Sequence, residues 1–461
     1  MNRSKYFFCG IGGSGMLPLA LIVRATGAEV AGSDRSLDQG RLSAKFAYLE
    51  RQGIGLFPQD GSGVTSADQL LVTSAAIEET VPDVAAAARV GAARVTRPQL
   101  LAELFNDAAL GIACGGTSGK STTTGMIGWI MREAGRDPKV MNGAVMKNFA
   151  DADAPFASAL VGGGDVFVSE VDESDGSIAL YRPAVAVLGN ITLDHKSLDE
   201  LRGLFRGFAA ASGKVVLNLD DAETRALAAG IVAGKRITFS LEGEADFVAS
   251  DIVEAPFAVT FSVRHGGDTV PVALQVPGRH NVQNALAALA AAHAAGVDLK
   301  VSAAALAGFK GLRRRFELVG TRNDVAVIDD FAHNPDKLAA TLSTLHAFPG
   351  RLLVLFQPHG YGPLKVMGDA LVDTFVEHLA AEDVLILPDP VYHGGTADRN
   401  VGSAEIVAKV VAAGRQAEHV AERSRAGDRL LELARPGDRI LIAGARDDTL
   451  SLFAADLVER L

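Results

Sequence analysis

Short apolar runs alternate with stretches of helical periodicity along most of the chain. The first run, Tyr6–Ile11, leads through a glycine-rich turn into an apolar helix over Met16–Thr26. Glu29–Gly32 and Leu70–Thr73 follow as strands, which end at Ser33-Asp34 and at Ser74-Ala75-Ala76. Arg97-Pro98 breaks the pattern, and the short helix Gln99–Phe105 reads as a linker. A second unit carries strands at Leu110–Cys114, Val166–Val171, Ala184–Leu188 and Val215–Asn218. Between Phe247 and Val276 the runs shorten and alternate around His265-Gly266-Gly267-Asp268, which predicts a hairpin. The alanine-rich stretch Val282–Ala295 favours helix by propensity. A third unit opens near Arg313–Phe316, with strands at Val325–Ile328, Leu352–Phe356, Val384–Leu387 and Arg439–Ala443. Apolar strands separated by helices predict parallel sheets wound with helices, an α/β fold.

Composition narrows the setting. A chain of 461 residues exceeds one ordinary hydrophobic core, so several domains are expected. Boundaries are placed at 1–106, 107–312 and 313–461. Hydrophobic residues at 48% and charged residues at 21% are a globular balance. A net charge of −11 argues against a nucleic-acid backbone as the main partner. The two cysteines, Cys9 and Cys114, sit in apolar strands and make no disulfide framework, so a reducing cytoplasm is expected. No apolar run approaches the roughly 20 residues of a membrane span, so no membrane insertion is expected. The first apolar run breaks at Gly10, too soon for a signal peptide.

The sharpest local signal is Gly115-Gly116-Thr117-Ser118-Gly119-Lys120-Ser121-Thr122, between a strand and a helix. Glycines let backbone N–H groups turn around phosphate oxygens, and the following helix adds its positive end. Lys120 supplies a point charge for β- and γ-phosphates, and the Ser121 hydroxyl can hold Mg²⁺. Cys114 stands where the longer form of this loop has glycine, so the match is to the shorter Gly-Thr-x-Gly-Lys-Ser form. The N-terminal Gly10-x-Gly12-x-x-Gly15, with Asp34 after the next strand, fits a site for a phosphorylated ligand or a plain βα turn. Glu170, at the end of one strand, suits a hard cation beside the loop, whereas His195, beyond the next, reads alone as structural and only in this company as a ligand. Asp172 and Asp175 read equally as solvated loop charges.

These segments, in this order, resemble the Mur ligases over nearly the whole chain. The resemblance runs through Gly-Ile-Gly-Gly-Ser-Gly-Met, the phosphate loop, Asn142-Gly143, Glu170-x-Asp172-Glu173-Ser174-Asp175 and Asn190-Ile191-x-x-Asp194-His195. It continues through Pro277-Gly278-Arg279-His280-Asn281-x-x-Asn284, Arg314-Arg315-Phe316-Glu317, Asp329-Asp330-Phe331-Ala332-His333 and Phe356-Gln357-Pro358-His359. The branch that attaches the first amino acid to UDP-N-acetylmuramate is the most similar. The resemblance implies a Rossmann-like N-terminal domain, a central P-loop ATPase-type domain and a Rossmann-like C-terminal domain. It implies a cytoplasmic, ATP- and Mg²⁺-dependent ligase of peptidoglycan synthesis, joining L-alanine or another amino acid to UDP-N-acetylmuramate through an acyl phosphate. ADP and phosphate would be the other products.

The same resemblance implies roles for single residues. Gly12, Gly13, Ser14, Gly15 and Met16 would hold the diphosphate, with Ser33, Asp34 and Ser74 also on the UDP-sugar. Gly116, Thr117, Ser118, Gly119, Lys120, Ser121 and Thr122 would cradle ATP. Ser121, Glu170 and His195 would ligate the metal. Asn281 and Asn284 would face the adenine side and Arg315 the phosphates. Asp330 and His333 would complete the site when the third domain closes, and Lys120, Glu170, His195 and His333 would carry catalysis.

The sequence departs from the family at a few places. Ser118 replaces a usual histidine and Ser121 a usual threonine. Leu204–Ser212 lacks the lysine that several members carry in carbamylated form. After His359 the usual arginine and Thr-Arg-Thr-like segment give way to Gly360-Tyr361-Gly362-Pro363-Leu364-Lys365. His359 and Lys365 are then the residues left to receive the amine substrate's carboxylate. That loss predicts a substrate other than free L-alanine, or a weak KM for it. Two alternatives follow: a recycling ligase that adds a peptide to UDP-N-acetylmuramate, or a nucleotide-sensing relative without turnover.

Overall fold

A computed structural model describes residues 4–75, 77–192, 196–391, 402–445, 447 and 449–461. Three sheets organise them. The first has five parallel strands in the spatial order Gly55–Phe57, Glu29–Ser33, Lys5–Cys9, Gln69–Thr73, Ala93–Thr96. Chain order reverses at Lys5–Cys9, the switch point where open parallel sheets present a crevice at their carboxyl ends. The glycine turn lies at that end, leading into the helix Met16–Ala25.

The second sheet has ten strands. Its phosphate-loop strand, Leu110–Gly115, lies between Val185–Leu188 and Val166–Glu170, parallel to both. Both neighbours are buried along their length, with only Glu170 at the end of one partly exposed, as a sheet covered on two faces requires. The hairpin forms as expected: Ala258–His265 pairs antiparallel with Asp268–Leu274 across Gly266 and Gly267, both at positive φ. The sequence gives no sign of two short strands, Lys139–Met141 and Ala159–Val161, the second of which is the sheet's edge.

The helix expected at Gln99–Phe105 forms and begins two residues earlier, at Arg97. Arg97–Asn106 starts with a capping box between Thr96 and Gln99, and Pro98 sits in its first turn, where a missing N–H costs nothing. Phe105, at its end, is buried against Phe167 and Tyr181 at ring distances of 5.6 and 5.2 Å. One continuous apolar cluster therefore runs from the first sheet into the second. Contacts within the chain divide it into two compact units. One comprises residues up to Val253, Val259–Gln275 and Arg279–Leu312; the other, Glu254–Ala258, Val276–Gly278 and Arg313–Leu461.

The second unit holds a six-stranded sheet in the order Glu317–Arg322, Val325–Asp330, Arg439–Gly444, Leu352–Gln357, Val384–Leu387, Gln416–His419. All neighbours pair in parallel except the first two. Helices cover both faces: Leu338, Leu371 and Ile406 pack on one side, Leu430, Leu450 and Leu457 on the other. No helix among the described residues is long and apolar enough to cross a membrane.

Candidate active site

Strand Leu110–Gly115 delivers the chain into a tight loop, and helix Lys120–Glu133 leaves it. Gly119 caps that helix at φ 81°, and a Cβ there would meet the Asn284 side-chain oxygen at 2.5 Å. Only glycine accepts both the left-handed backbone and that approach. The loop is gripped from the neighbouring strand's end. Asn190 Oδ1 accepts from Thr117 Oγ1 and from the Ser118 N–H, each at 2.8 Å, and the Thr192 N–H donates to Thr117 Oγ1 at 3.0 Å. Ser118 itself is exposed, and Thr122 is half-buried on the helix's first turn.

Lys120 turns back over the loop. Its Nζ donates to the Gly116 carbonyl at 2.7 Å and to both oxygens of Glu173 at 2.9 and 3.1 Å. Glu173 is 3% exposed, and burial raises its pKa although Lys120 pulls the other way. Sequence reading placed Glu173 in a motif but gave it no role. The signal was its place three residues after Glu170, at the mouth of the same strand.

Ser121 and Glu170 do come together: Ser121 Oγ donates to Glu170 Oε2 at 2.8 Å. The Gly143 N–H also donates to that oxygen at 3.0 Å, and Asn142 Nδ2 holds the Ser121 carbonyl at 2.9 Å. A hydroxyl and a carboxylate at this spacing are hard oxygen donors of the kind Mg²⁺ takes. His195 lies outside the described residues. Asp172 accepts from the Ser174 N–H and Asp175 from the Ser177 N–H, so both order the local turn; Asp175 is also 3.9 Å from Arg97. Asn281 and Asn284 project from helix Arg279–Ala294. Asn284 Nδ2 donates to Asn281 Oδ1 at 3.1 Å, and Asn284 Oδ1 accepts from Thr123 Oγ1 at 3.3 Å.

In the first sheet, the Gly12 N–H donates to Asp34 Oδ2 at 2.8 Å, while Asp34 Oδ1 caps the helix Arg35–Asp38 through the Ser36 N–H. A Cβ on Gly12 would lie 2.9 Å from that carboxylate oxygen. Lys45, unnoticed in the sequence, is buried and donates to the Gly12 carbonyl at 3.2 Å. Ser33 is wholly enclosed with its hydroxyl on buried Asp83, and its carbonyl receives the N–H groups of Gly10 and Ile11. Gly13 and Ser14 are exposed at the turn, Gly15 lies beside Arg97, Met16 is buried and Ser74 is exposed at its strand's end. Cys9 and Cys114, just before the two glycine turns, are buried free thiols, and burial pushes each pKa up to about 12.

In the second unit, Asp330 is held by the Phe316 N–H at 3.1 Å and by the Thr341 hydroxyl at 2.5 Å. Arg315 lies over the Phe331 ring at 4.5 Å. His333 Nδ1 meets the Phe331 carbonyl at 2.8 Å, and its ring stands edge-on to His359 at 5.3 Å. Burial lowers the His333 pKa to about 4, with Lys337, His359 and Arg315 adding to the shift. Gly360 to Lys365 is not an open loop: Gly360 caps a helix that begins at Tyr361 and runs to His378. Lys365 is exposed on its first turns.

Three family models match the chain in succession: the Mur ligase family catalytic domain over 5–108, the Mur ligase middle domain over 114–292, and the Mur ligase glutamate ligase domain over 314–446. A UDP-N-acetylmuramate–L-alanine ligase of Desulforapulum autotrophicum is 35% identical over 404 residues, 85% of each chain. One from Acidithiobacillus ferrooxidans is 37% identical over 84% of this chain and 82% of its own. Among solved structures, the UDP-N-acetylmuramate–alanine ligase of Thermotoga maritima superposes with a TM-score of 0.79 at 25% identity, covering 99% of this chain and 98% of that one. A murein peptide ligase of Psychrobacter arcticus gives 0.69 at 25% identity, with the same coverage. The chain belongs to the Mur ligase family, the ATP-dependent ligases that form C–N bonds.

Proposed function

We propose that this chain joins L-alanine to the carboxylate of UDP-N-acetylmuramate, using ATP, in the cytoplasm and as a step of peptidoglycan synthesis. The observation that carries the reading is the phosphate loop with Lys120 over it and the Ser121–Glu170 pair beside it. Relatives bearing that activity in their names, aligned over 84–85% of the chain, support it. A carboxylate does not yield to an amine directly, because oxide is too poor a leaving group. Transfer of the γ-phosphoryl from ATP gives an acyl phosphate and ADP. Attack by the amine then expels phosphate, and the amine's proton leaves to solvent.

Lys120 would neutralise charge on the transferring phosphoryl, and the loop N–H groups would fix its position. Ser121 and Glu170, with His195, are the residues we assign to Mg²⁺, which when bound would spread charge from the phosphate oxygens. Asn281, Asn284, Arg315 and Asp330 are proposed as further ATP contacts, and His333 as a catalytic residue beside Lys120, Glu170 and His195. Gly12 to Met16, with Ser33, Asp34 and Ser74, are proposed for the UDP-sugar, and His359 and Lys365 for the incoming amino acid. Residues 1–106, 107–312 and 313–461 would divide these tasks as three domains.

The test is a reaction with ATP, UDP-N-acetylmuramate and single amino acids, with ADP, phosphate and the ligated sugar nucleotide quantified. Equal amounts of all three with L-alanine are expected. Release of AMP and pyrophosphate would sink the acyl-phosphate reading. The helix start at Gly360–Lys365, without family arginines, favours a second reading in which a peptide is the amine. Efficient turnover of short peptides with none of L-alanine would establish it.

A further inference from the structure

A cavity of about 550 Å³ opens between helices Leu198–Ala211 and Ala222–Ala229 and the segment Gly230–Lys235. That size suits a small organic molecule. Its wall is largely apolar, with Ala209, Leu227, Ile231 and Val232 contributing. Four ionisable groups also line it. Arg202 is taken up by the lining residue Glu223 through two hydrogen bonds of 2.6 and 2.7 Å, and by Asp199, outside the lining, at 2.8 Å, so it offers no free positive charge to a ligand. Lys235 gives one N–H to the Ala210 carbonyl at 2.9 Å and meets no carboxylate among the described residues. Arg206 is exposed and makes no hydrogen bond or ion pair among the described residues. An apolar chamber with two uncompensated cations complements a molecule with an apolar body and one anionic head.

The cavity reaches the phosphate loop through one side chain. Ile191, 3% exposed, lines it and stands between the two residues that grip Thr117. Asn190 accepts from the Thr117 hydroxyl and the Ser118 N–H, and Thr192 donates to the Thr117 hydroxyl. A molecule packed on Ile191 therefore bears on the strand end that shapes the loop.

We propose that this cavity is a binding site for a small amphipathic anion, and that its occupancy changes nucleotide affinity through Asn190–Thr192. Octyl phosphate is the probe, with inorganic phosphate and octanol as half-molecules. Calorimetry on the full chain should give saturable binding, at least tenfold tighter than either half. Arg206→Gln should weaken it at least threefold. Ala226→Trp, at an exposed wall position, should fill the space and abolish it while leaving the melting temperature and basal turnover unchanged. The apparent affinity for ATP should shift at least threefold with octyl phosphate in the wild type and not in Ala226→Trp. No saturable binding at about 1 mM, equal binding by Ala226→Trp, or an ATP affinity indifferent to the probe would each overturn the proposal.

Discussion

Between Lys120 and Glu173 the loop satisfies its own charge, so removal of the lysine strands a carboxylate that is 3% exposed. Reading the sequence alone, one expects Lys120→Ala to abolish turnover and leave the fold untouched. The geometry adds a stability loss of about 2 kcal/mol, below the usual range for breaking a buried pair because the lysine keeps some solvent contact. Adding Glu173→Gln should restore most of it, as thermal unfolding of the two variants would reveal. A loss in the single variant that the double does not recover would show that Glu173 is not the cause.

His333 and Asp329 make a second expectation, in acid. The His333 pKa is lowered from 6.5 to about 4, so between those values the folded chain binds fewer protons than the unfolded one. Its contribution to stability falls as pH drops through that window, by about 3 kcal/mol in full. Burial raises Asp329 from 3.8 to about 6, so its contribution rises over nearly the same window. The two offset each other in the wild type. His333→Asn removes the imidazole's effect and keeps that of Asp329, so from pH 7 to pH 5 its unfolding free energy should rise relative to that of the wild type. Denaturant titrations at the two pH values check this. A proton resonance for His333 titrating near pH 4 would locate the shift directly.

At the scale of elements, long parallel strands were the legible part, because burial on both faces writes them as continuous apolar runs. Edge strands of three or four residues, such as Ala159–Val161 and Gln416–His419, carry too little pattern to be read. The helix Tyr361–His378 was hidden for a different reason. Gly360 and Pro363 read as a turn, yet glycine can cap a helix and proline is tolerated in its first turn, where no intrahelical N–H bond is lost. The phosphate loop was legible to the residue because its glycines answer a steric demand. Gly119→Ala should cost about 1–2 kcal/mol from the left-handed backbone alone, more from the Asn284 contact, and should weaken ATP binding at least tenfold. Fluorescent nucleotide titration and thermal melting separate the two effects. Wild-type affinity in that variant would mean that the loop does not hold the nucleotide.

For the molecule as a whole, motif order was enough to place the chain in its family, since it spaces the segments along all three sheets. Packing between the first two sheets was not legible. A helix beginning Arg-Pro looks like punctuation, and nothing in its sequence announces that Phe105 will meet Phe167 and Tyr181. Because one cluster spans both sheets, they should unfold together. Phe105→Ala should cost about 3–5 kcal/mol and lower the stability of both, read by hydrogen exchange at Leu71 and at Val168. Protection lost in one sheet alone would show them to be independent.

The two thiols have a practical consequence. Cys9 and Cys114 are 2% and 1% exposed, and with pKa values near about 12 almost none of either is thiolate at neutral pH. Thiolate is the species that reacts with maleimides and disulfide reagents. The natural sequence is therefore a silent background for chemistry on added cysteines. Native protein should consume no disulfide reagent over minutes, and protein unfolded in guanidinium should consume two equivalents. Val301→Cys in the first unit and Leu452→Cys in the second, at positions 44% and 71% exposed, could then carry a dye pair with no prior removal of native cysteines. Changes in energy transfer upon adding ATP or sugar nucleotide would report motion between the units in solution, in a chain otherwise unaltered.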